Sequence, residues 1–183
     1  MKKVSVFLAD GFEEIEGLTV VDLLRRAGVE VTTVSITEDY TIHGAHGIDV
    51  QADKLFEEMN YDGQDMLVLP GGMPGTLNLG AHKGLEELLN KFYEEKKYLA
   101  AICAAPSVLG KYGFLKGRKA TSYPGFEAQL TGAECVTDAV AVDGFVITSR
   151  GMGTAIPFSL ALIEVLIGSE KANEIGKSII YYE

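Results

Sequence analysis

Val4 to Ala9 is a run without a charge, rich in β-branched and aromatic side chains, and it stops at Asp10. Such a run, bounded by polar residues, reads as a buried strand. The spacing then changes. Ile15, Leu18, Val21 (with its neighbour Val20) and Leu24 recur at helical intervals, which predicts a helix over Glu13–Ala27 stopped by Gly28. Val29–Ile36 is strand-like. Gly44 to Gly47 breaks the chain before a short alternating segment, and Lys54–Met59 reads as a short helix. Met66–Leu69 is an apolar strand ended by Pro70-Gly71-Gly72. Leu85–Lys97 is an amphipathic helix with Leu85, Leu88, Leu89 and Phe92 on one face; Tyr98–Ile102 is a strand and Ala104–Tyr112 a helix. Ala139–Val142 and Phe145–Thr148 flank Asp143-Gly144, the strongest hairpin signal in the chain, and Ile156–Ile167 is a final apolar helix.

Apolar strands alternating with helices imply an α/β fold: a mostly parallel sheet covered by helices on both faces, plus a small antiparallel hairpin. No linker, low-complexity tract or repeat interrupts the pattern, so residues 1–183 are expected to form one domain. In such sheets ligands gather beyond the carboxyl ends of the strands. That rule selects the turns Asp10–Glu16, Pro70–Thr76 and Cys103–Ser107.

Composition narrows the partners. A net charge of −10 with no block of basic residues argues against nucleic acid. The apolar start ends too soon for a secretory leader, and no later run reaches the ~18–20 residues of a membrane helix, so a cytoplasmic protein with reduced thiols is expected. The two cysteines form neither a CxxC pair nor a ligand set, and no His/Cys/carboxylate group shows metal-ligand spacing, so no metal is expected.

Cys103 stands where a strand turns into a helix, between small neighbours that permit a tight corner. This is the logic of a nucleophile elbow, without the serine-hydrolase pattern. A helix starting at Ala104 would aim its N–H groups and dipole at the sulfur and favour thiolate. A small buried filler explains the same local features equally well. Cys135 has no elbow and reads as filler. None of His43, His46 and His82 adjoins Cys103, which leaves open a dyad assembled by the fold. The alternative proton partner is one of Glu13, Glu14 and Glu16, which otherwise only complement the helix dipole. The Pro70–Gly75 stretch can point a backbone N–H into the cleft or be a plain turn; Gly151 and Gly153 pose the same choice.

Residues 9–16 (Ala-Asp-Gly-Phe-Glu-Glu-Ile-Glu), 69–72 (Leu-Pro-Gly-Gly) and 100–106 (Ala-Ala-Ile-Cys-Ala-Ala-Pro) together resemble the ThiJ/PfpI superfamily. The resemblance covers nearly the whole chain and is strongest to the branch of the Parkinson-linked deglycase (DJ-one) and bacterial YajL-type proteins. It implies a flavodoxin-like, class I glutamine amidotransferase-like sheet, no cofactor and a homodimer, with the first helix (Glu16 to Arg26) as a contact surface. By the same resemblance Cys103 is the nucleophilic, oxidation-prone cysteine and Glu16 the carboxyl bonded to it. Gly72 and Ala104 supply oxyanion N–H groups. Tyr123, in Thr121-Ser122-Tyr123-Pro124, replaces a histidine common in the branch, and a phenol is a weaker base near neutral pH. Ala104 stands where the protease branch has histidine, which counts against peptide hydrolysis. The implied activity is removal of small reactive dicarbonyls or their adducts, of glyoxalase III or deglycase type. The competing expectations are a redox sensor or chaperone-like protein using a Cys103 sulfinate and, more remotely, an amidotransferase-like hydrolase.

Overall fold

The computed structural model describes residues 1–181. In chain order the elements are β1 (Lys3–Leu8), α1 (Glu14–Arg26), β2 (Glu30–Ser35), β3 (Thr41–His43), β4 (Asp49–Gln51), β5 (Lys54–Leu55) and β6 (Met66–Leu69). Then come α2 (Gly75–Ala81), α3 (Lys83–Glu94), β7 (Tyr98–Ile102), α4 (Pro106–Lys111), β8 (Lys119–Ala120) and β9 (Glu134–Cys135). The chain continues through β10 (Val140–Asp143), β11 (Val146–Ser149), α5 (Ala155–Ile167) and α6 (Ser169–Ser178). Seven strands form one sheet in the order β10-β11-β7-β6-β1-β2-β5, parallel throughout except for the β10–β11 hairpin.

The period of two along each strand divides the core into two layers. Val4, Val6, Leu8, Met66, Val68, Ala100 and Ile102 face the layer of α1, α5 and α6, where Val20, Leu24, Phe158 and Leu162 meet them. Phe7, Leu67, Leu69, Leu99 and Ala101 face the other, against Leu85, Leu89 and Phe92 of α3 and Leu109 of α4. Each fully buried side chain of this size contributes about 1.5–3 kcal/mol. The expected α/β class, with its covered parallel sheet and small hairpin, is the observed one. Among the described residues no helix is long and apolar enough to cross a membrane.

Four details differ from the sequence reading. Lys54–Met59 is not a helix: Lys54 and Leu55 pair with Val34 and Ser35 of β2, and a single 3-10 turn follows at Phe56–Glu58. Phe56 is drawn into a ring cluster with Phe7 and Tyr61 at centroid separations of 6.1 and 5.2 Å, which sets that geometry. The hairpin pivots one residue later than expected, on Gly144 at φ 61, because Asp143 still pairs with Val146 and accepts from Arg118 and the Lys119 N–H. The helix after Cys103 begins at Pro106, whose missing N–H costs nothing in a first turn. Lastly, α1 buries Val20, Val21 and Leu24 of the stripe read in the sequence but leaves Ile15 and Leu18 exposed, so its inner face is rotated toward Glu16 and Leu23. Sequence reasoning also missed α2, whose interior carries Gly80 and one buried leucine, Leu79.

Candidate active site

β7, β6 and β1 are neighbours in the sheet, so the three turns after them lie side by side at its carboxyl edge. Backbone bonds stitch them together: the Glu13 N–H donates to the Gly71 carbonyl at 2.9 Å and the Gly75 N–H to Gly11 at 3.1 Å. The approach is close enough to demand glycine at Gly72, where φ is 93° and a Cβ would lie 2.6 Å from the Gly11 oxygen.

Cys103 sits at the corner with φ 66°, the left-handed region that a non-glycine residue enters at a cost of about 1–3 kcal/mol. Bonds on both sides hold it there. Its N–H donates to the Ser149 carbonyl at 2.9 Å and its carbonyl accepts the Tyr123 N–H at 2.8 Å. The N–H groups of Gly72 and Ala104 point at the sulfur. Cys103 thus stands at a tight strand-to-helix corner, with the Gly72 and Ala104 backbone acting on its sulfur.

Glu16 meets the sulfur from α1. It is 1% exposed, because it shares the inner face of the helix with Val20 and Leu24. Its Oε2 accepts the Gly71 N–H at 3.0 Å, and its carboxyl lies beside the Cys103 side chain. A Cβ on Gly71 would stand 2.5 Å from Glu16 Oε2 and 2.6 Å from Cys103 Cβ. The missing side chain at Gly71 is what lets acid and sulfur touch.

Burial dominates the electrostatics of this pair. Removal from water pushes the Glu16 carboxyl up from its ordinary 4.5 to about 7, against hydrogen bonds from Cys103 and Gly71 that favour the anion. Burial, then the charge and hydrogen bond of Glu16, push the Cys103 thiol up to about 12, against the Ala104 and Gly72 N–H groups. The Ala104 N–H acts in the direction the sequence reading expected, but burial and then Glu16 outweigh it.

The neighbouring acids do other work. Glu14 is 2% exposed and accepts from the His46 N–H at 2.7 Å and the His46 ring at 2.9 Å, which ties the 43–47 loop to α1. Burial alone would raise Glu14; the His46 bonds reverse the sign and hold it below its ordinary value. Glu13, Glu14 and His46 bring ligand-type atoms within 4.8 Å of one another, a grouping sequence spacing did not reveal. Glu14 and His46 satisfy each other as an ion pair, so the grouping is complete as it stands. The other histidines are also engaged away from the sulfur: His43 with Asp49 at 2.7 Å, and His82 as the cap that accepts the Leu85 N–H at 3.0 Å.

Tyr123 is 52% exposed at the mouth of the site. Its ring borders Gly151, where a Cβ would lie 3.3 Å from it and 3.8 Å from Glu16 Oε1, so Gly151 does wall the cleft. Gly153 does not, since a Cβ there meets nothing within 4 Å. What sequence reasoning missed is the role of Gly71 as the gap between acid and thiol. A glycine two positions past a strand flanked by apolar residues was its only signal.

Residues 2–165 match the DJ-1/PfpI family. A protein named DJ-1 homolog A from Arabidopsis thaliana is 41% identical over 182 residues, covering 98% of this chain and 46% of that protein. The chain spans less than half the length of the plant relatives it matches. A protein of Pyrococcus abyssi named as a deglycase is 35% identical over 167 residues, covering 90% of this chain and 99% of its own length. Among solved structures, oxidized Toxoplasma gondii DJ-1 superposes with a TM-score of 0.96 at 37% identity, over 100% of both chains. The chain belongs to the DJ-1/PfpI family.

Proposed function

We propose that this protein is a cofactor-independent enzyme that converts small reactive dicarbonyls, such as methylglyoxal, to hydroxy acids. The observation that carries the reading is a buried carboxyl, pushed up to about 7, packed beside a cysteine side chain at the strand-end corner. Above about 7 the pair keeps one proton, carried by the thiol until substrate arrives.

In the proposed sequence Glu16 takes that proton as the sulfur bonds to the aldehyde carbon. The Gly72 and Ala104 N–H groups hold the developing oxyanion, which takes the proton back to give a hemithioacetal. Glu16 then removes the hydrogen of that carbon and returns a proton to the neighbouring one. The result is a thioester of the hydroxy acid at Cys103. Water cleaves it and restores the thiol. Methylglyoxal and water thus give lactate, with no net oxidation. Tyr123 lines the mouth without acting as a base; its phenol makes no hydrogen bond among the described residues, and no step needs the histidine it replaces. The relative named as a deglycase supports carbonyl chemistry, and adducts of the same carbonyls are the natural extension of the substrate class.

The test is lactate formation from methylglyoxal without glutathione. Wild type is expected to form lactate and Cys103→Ser to form none; equal rates in the two would sink the proposal. A second reading, favoured by a protonatable Glu16 at the sulfur, is oxidation of Cys103 to a sulfinate that accepts a hydrogen bond from the protonated acid. Mass spectrometry after mild peroxide would show dioxidation at Cys103 and sparing of Cys135; equal oxidation of both refutes it. The proposal includes a homodimer in a reducing cytoplasm, formed through α1, where Ile15 and Leu18 are 50% and 36% exposed. Sedimentation reads that directly, and a monomer at micromolar concentration would refute it.

A further inference from the structure

A cavity of about 510 Å³ lies between α2, α4 and the turn at Glu127–Gln129, and Cys103 and Glu16 do not line it. That volume suits a small organic molecule. Leu77, Ala81, Val108 and Ala128 give it apolar walls. Thr76 also lines it, is 3% exposed, and has a buried hydroxyl without a hydrogen-bond partner. A buried hydroxyl left unpaired is costly, and a ligand oxygen would recover that cost. Lys111 lines the cavity as an exposed side chain. Its ammonium donates to the Gly80 carbonyl at 2.7 Å and makes no ion pair among the described residues, which leaves two donors unspent. No acidic side chain lines the cavity.

Thr76 and Gly80 are one helical turn apart on α2, about 6 Å along its axis, and the Lys111 ammonium lies beyond the Gly80 carbonyl. We infer that this cavity binds a short aliphatic carboxylate that carries a second oxygen at the far end of its chain. The carboxylate pairs with Lys111, the methylenes lie on Val108 and Leu77, and the far oxygen accepts the Thr76 hydroxyl. The charge of the cavity excludes the corresponding amines, and its apolar middle disfavours charge along the body of the ligand.

The test is a protein-observed ¹⁵N NMR titration with ω-hydroxyhexanoate, hexanoate and ω-hydroxyhexanamide. The expected result is saturable shifts centred on Thr76, Gly80, Ser107, Lys111 and Thr131, with ω-hydroxyhexanoate the tightest of the three. Lys111→Gln should weaken the acid about tenfold and leave the amide unchanged. Thr76→Val should weaken ω-hydroxyhexanoate and not hexanoate. A Cβ at Gly80 meets only Val108 Cγ2, at 3.5 Å, so Gly80→Leu is expected to fill the cavity, keep the fold and abolish the saturable shifts. Shifts that do not saturate, that persist in Gly80→Leu, or that are equal for acid and amide overturn the inference. If Gly80→Leu does not fold, the Lys111→Gln comparison of acid with amide decides alone. Repeating the titration on Cys103→Ser separates this result from the dicarbonyl proposal, because binding here needs no thiol.

Discussion

Glu16→Gln is expected to make the protein more stable at alkaline pH while removing its activity. The carboxyl is nearly inaccessible and its proton is released at about 7 rather than 4.5, so the folded state holds a proton that the unfolded chain has lost between those values. The sign follows: stability falls as pH rises through that window, and the full cost is present above about 7. Raising a carboxyl from 4.5 to about 7 amounts to about 3 kcal/mol. Glutamine keeps the geometry, since its amide oxygen can accept the Gly71 N–H and its NH2 can donate to the sulfur, but it carries no charge. For a chain of this length about 3 kcal/mol corresponds to a rise in Tm of roughly 6–12 °C. Thermal unfolding followed by circular dichroism should show that gap at pH 8.5 and little of it at pH 5. A Glu16→Gln variant no more stable than wild type at pH 8.5, or a gap of equal size at both pH values, would refute the reasoning.

The same pair predicts a kcat/KM that rises with pH through about 7, as Glu16 ionises and can accept the thiol proton; Glu16→Gln should lose that limb and about 10²–10⁴-fold in rate. Gly71→Ala should separate acid and sulfur, because its Cβ would lie 2.5 Å from one and 2.6 Å from the Cβ bearing the other; a fall of about 10²-fold in kcat/KM is expected. His46→Ala should lower Tm. His46 is raised by its bond to Glu14, so its contribution is complete below 6.5 and fades as pH rises through the folded value; the gap in Tm should narrow from pH 6 to pH 9. Phe12→Ala removes a fully buried ring under the turns that carry the site, and urea unfolding should show a loss of about 3–5 kcal/mol.

Much of this was legible in the chain because the alternation of strand and helix is strict and the rule for ligand placement at strand ends is strong. Those two facts located the three turns and singled out Cys103. The choice among Glu13, Glu14 and Glu16 was not legible from local pattern. It depends on the rotation of α1: Val20, Val21 and Leu24 of the apolar stripe are buried as the pattern implies, but Ile15 and Leu18 at its start are exposed and Glu16 lies inward in their place. Burying a carboxylate in place of an isoleucine is a cost that local pattern cannot anticipate, because it is set by the sulfur and the Gly71 N–H across the cleft. The upward push on the thiol was not legible for a related reason, since burial and the approach of Glu16 are set by the fold. Resemblance named Glu16 where periodicity could not choose.

The proton path from the thiol through Glu16 to substrate is tested most directly by running methylglyoxal conversion in D2O and following the lactate methyl signal by ¹H NMR. The Cys103–Glu16 mechanism predicts lactate that carries deuterium at its second carbon, because the hydrogen removed by Glu16 exchanges with solvent before it is returned, and no lactate from Cys103→Ser. Lactate bearing only protium at that carbon, or the same yield from Cys103→Ser, would contradict it.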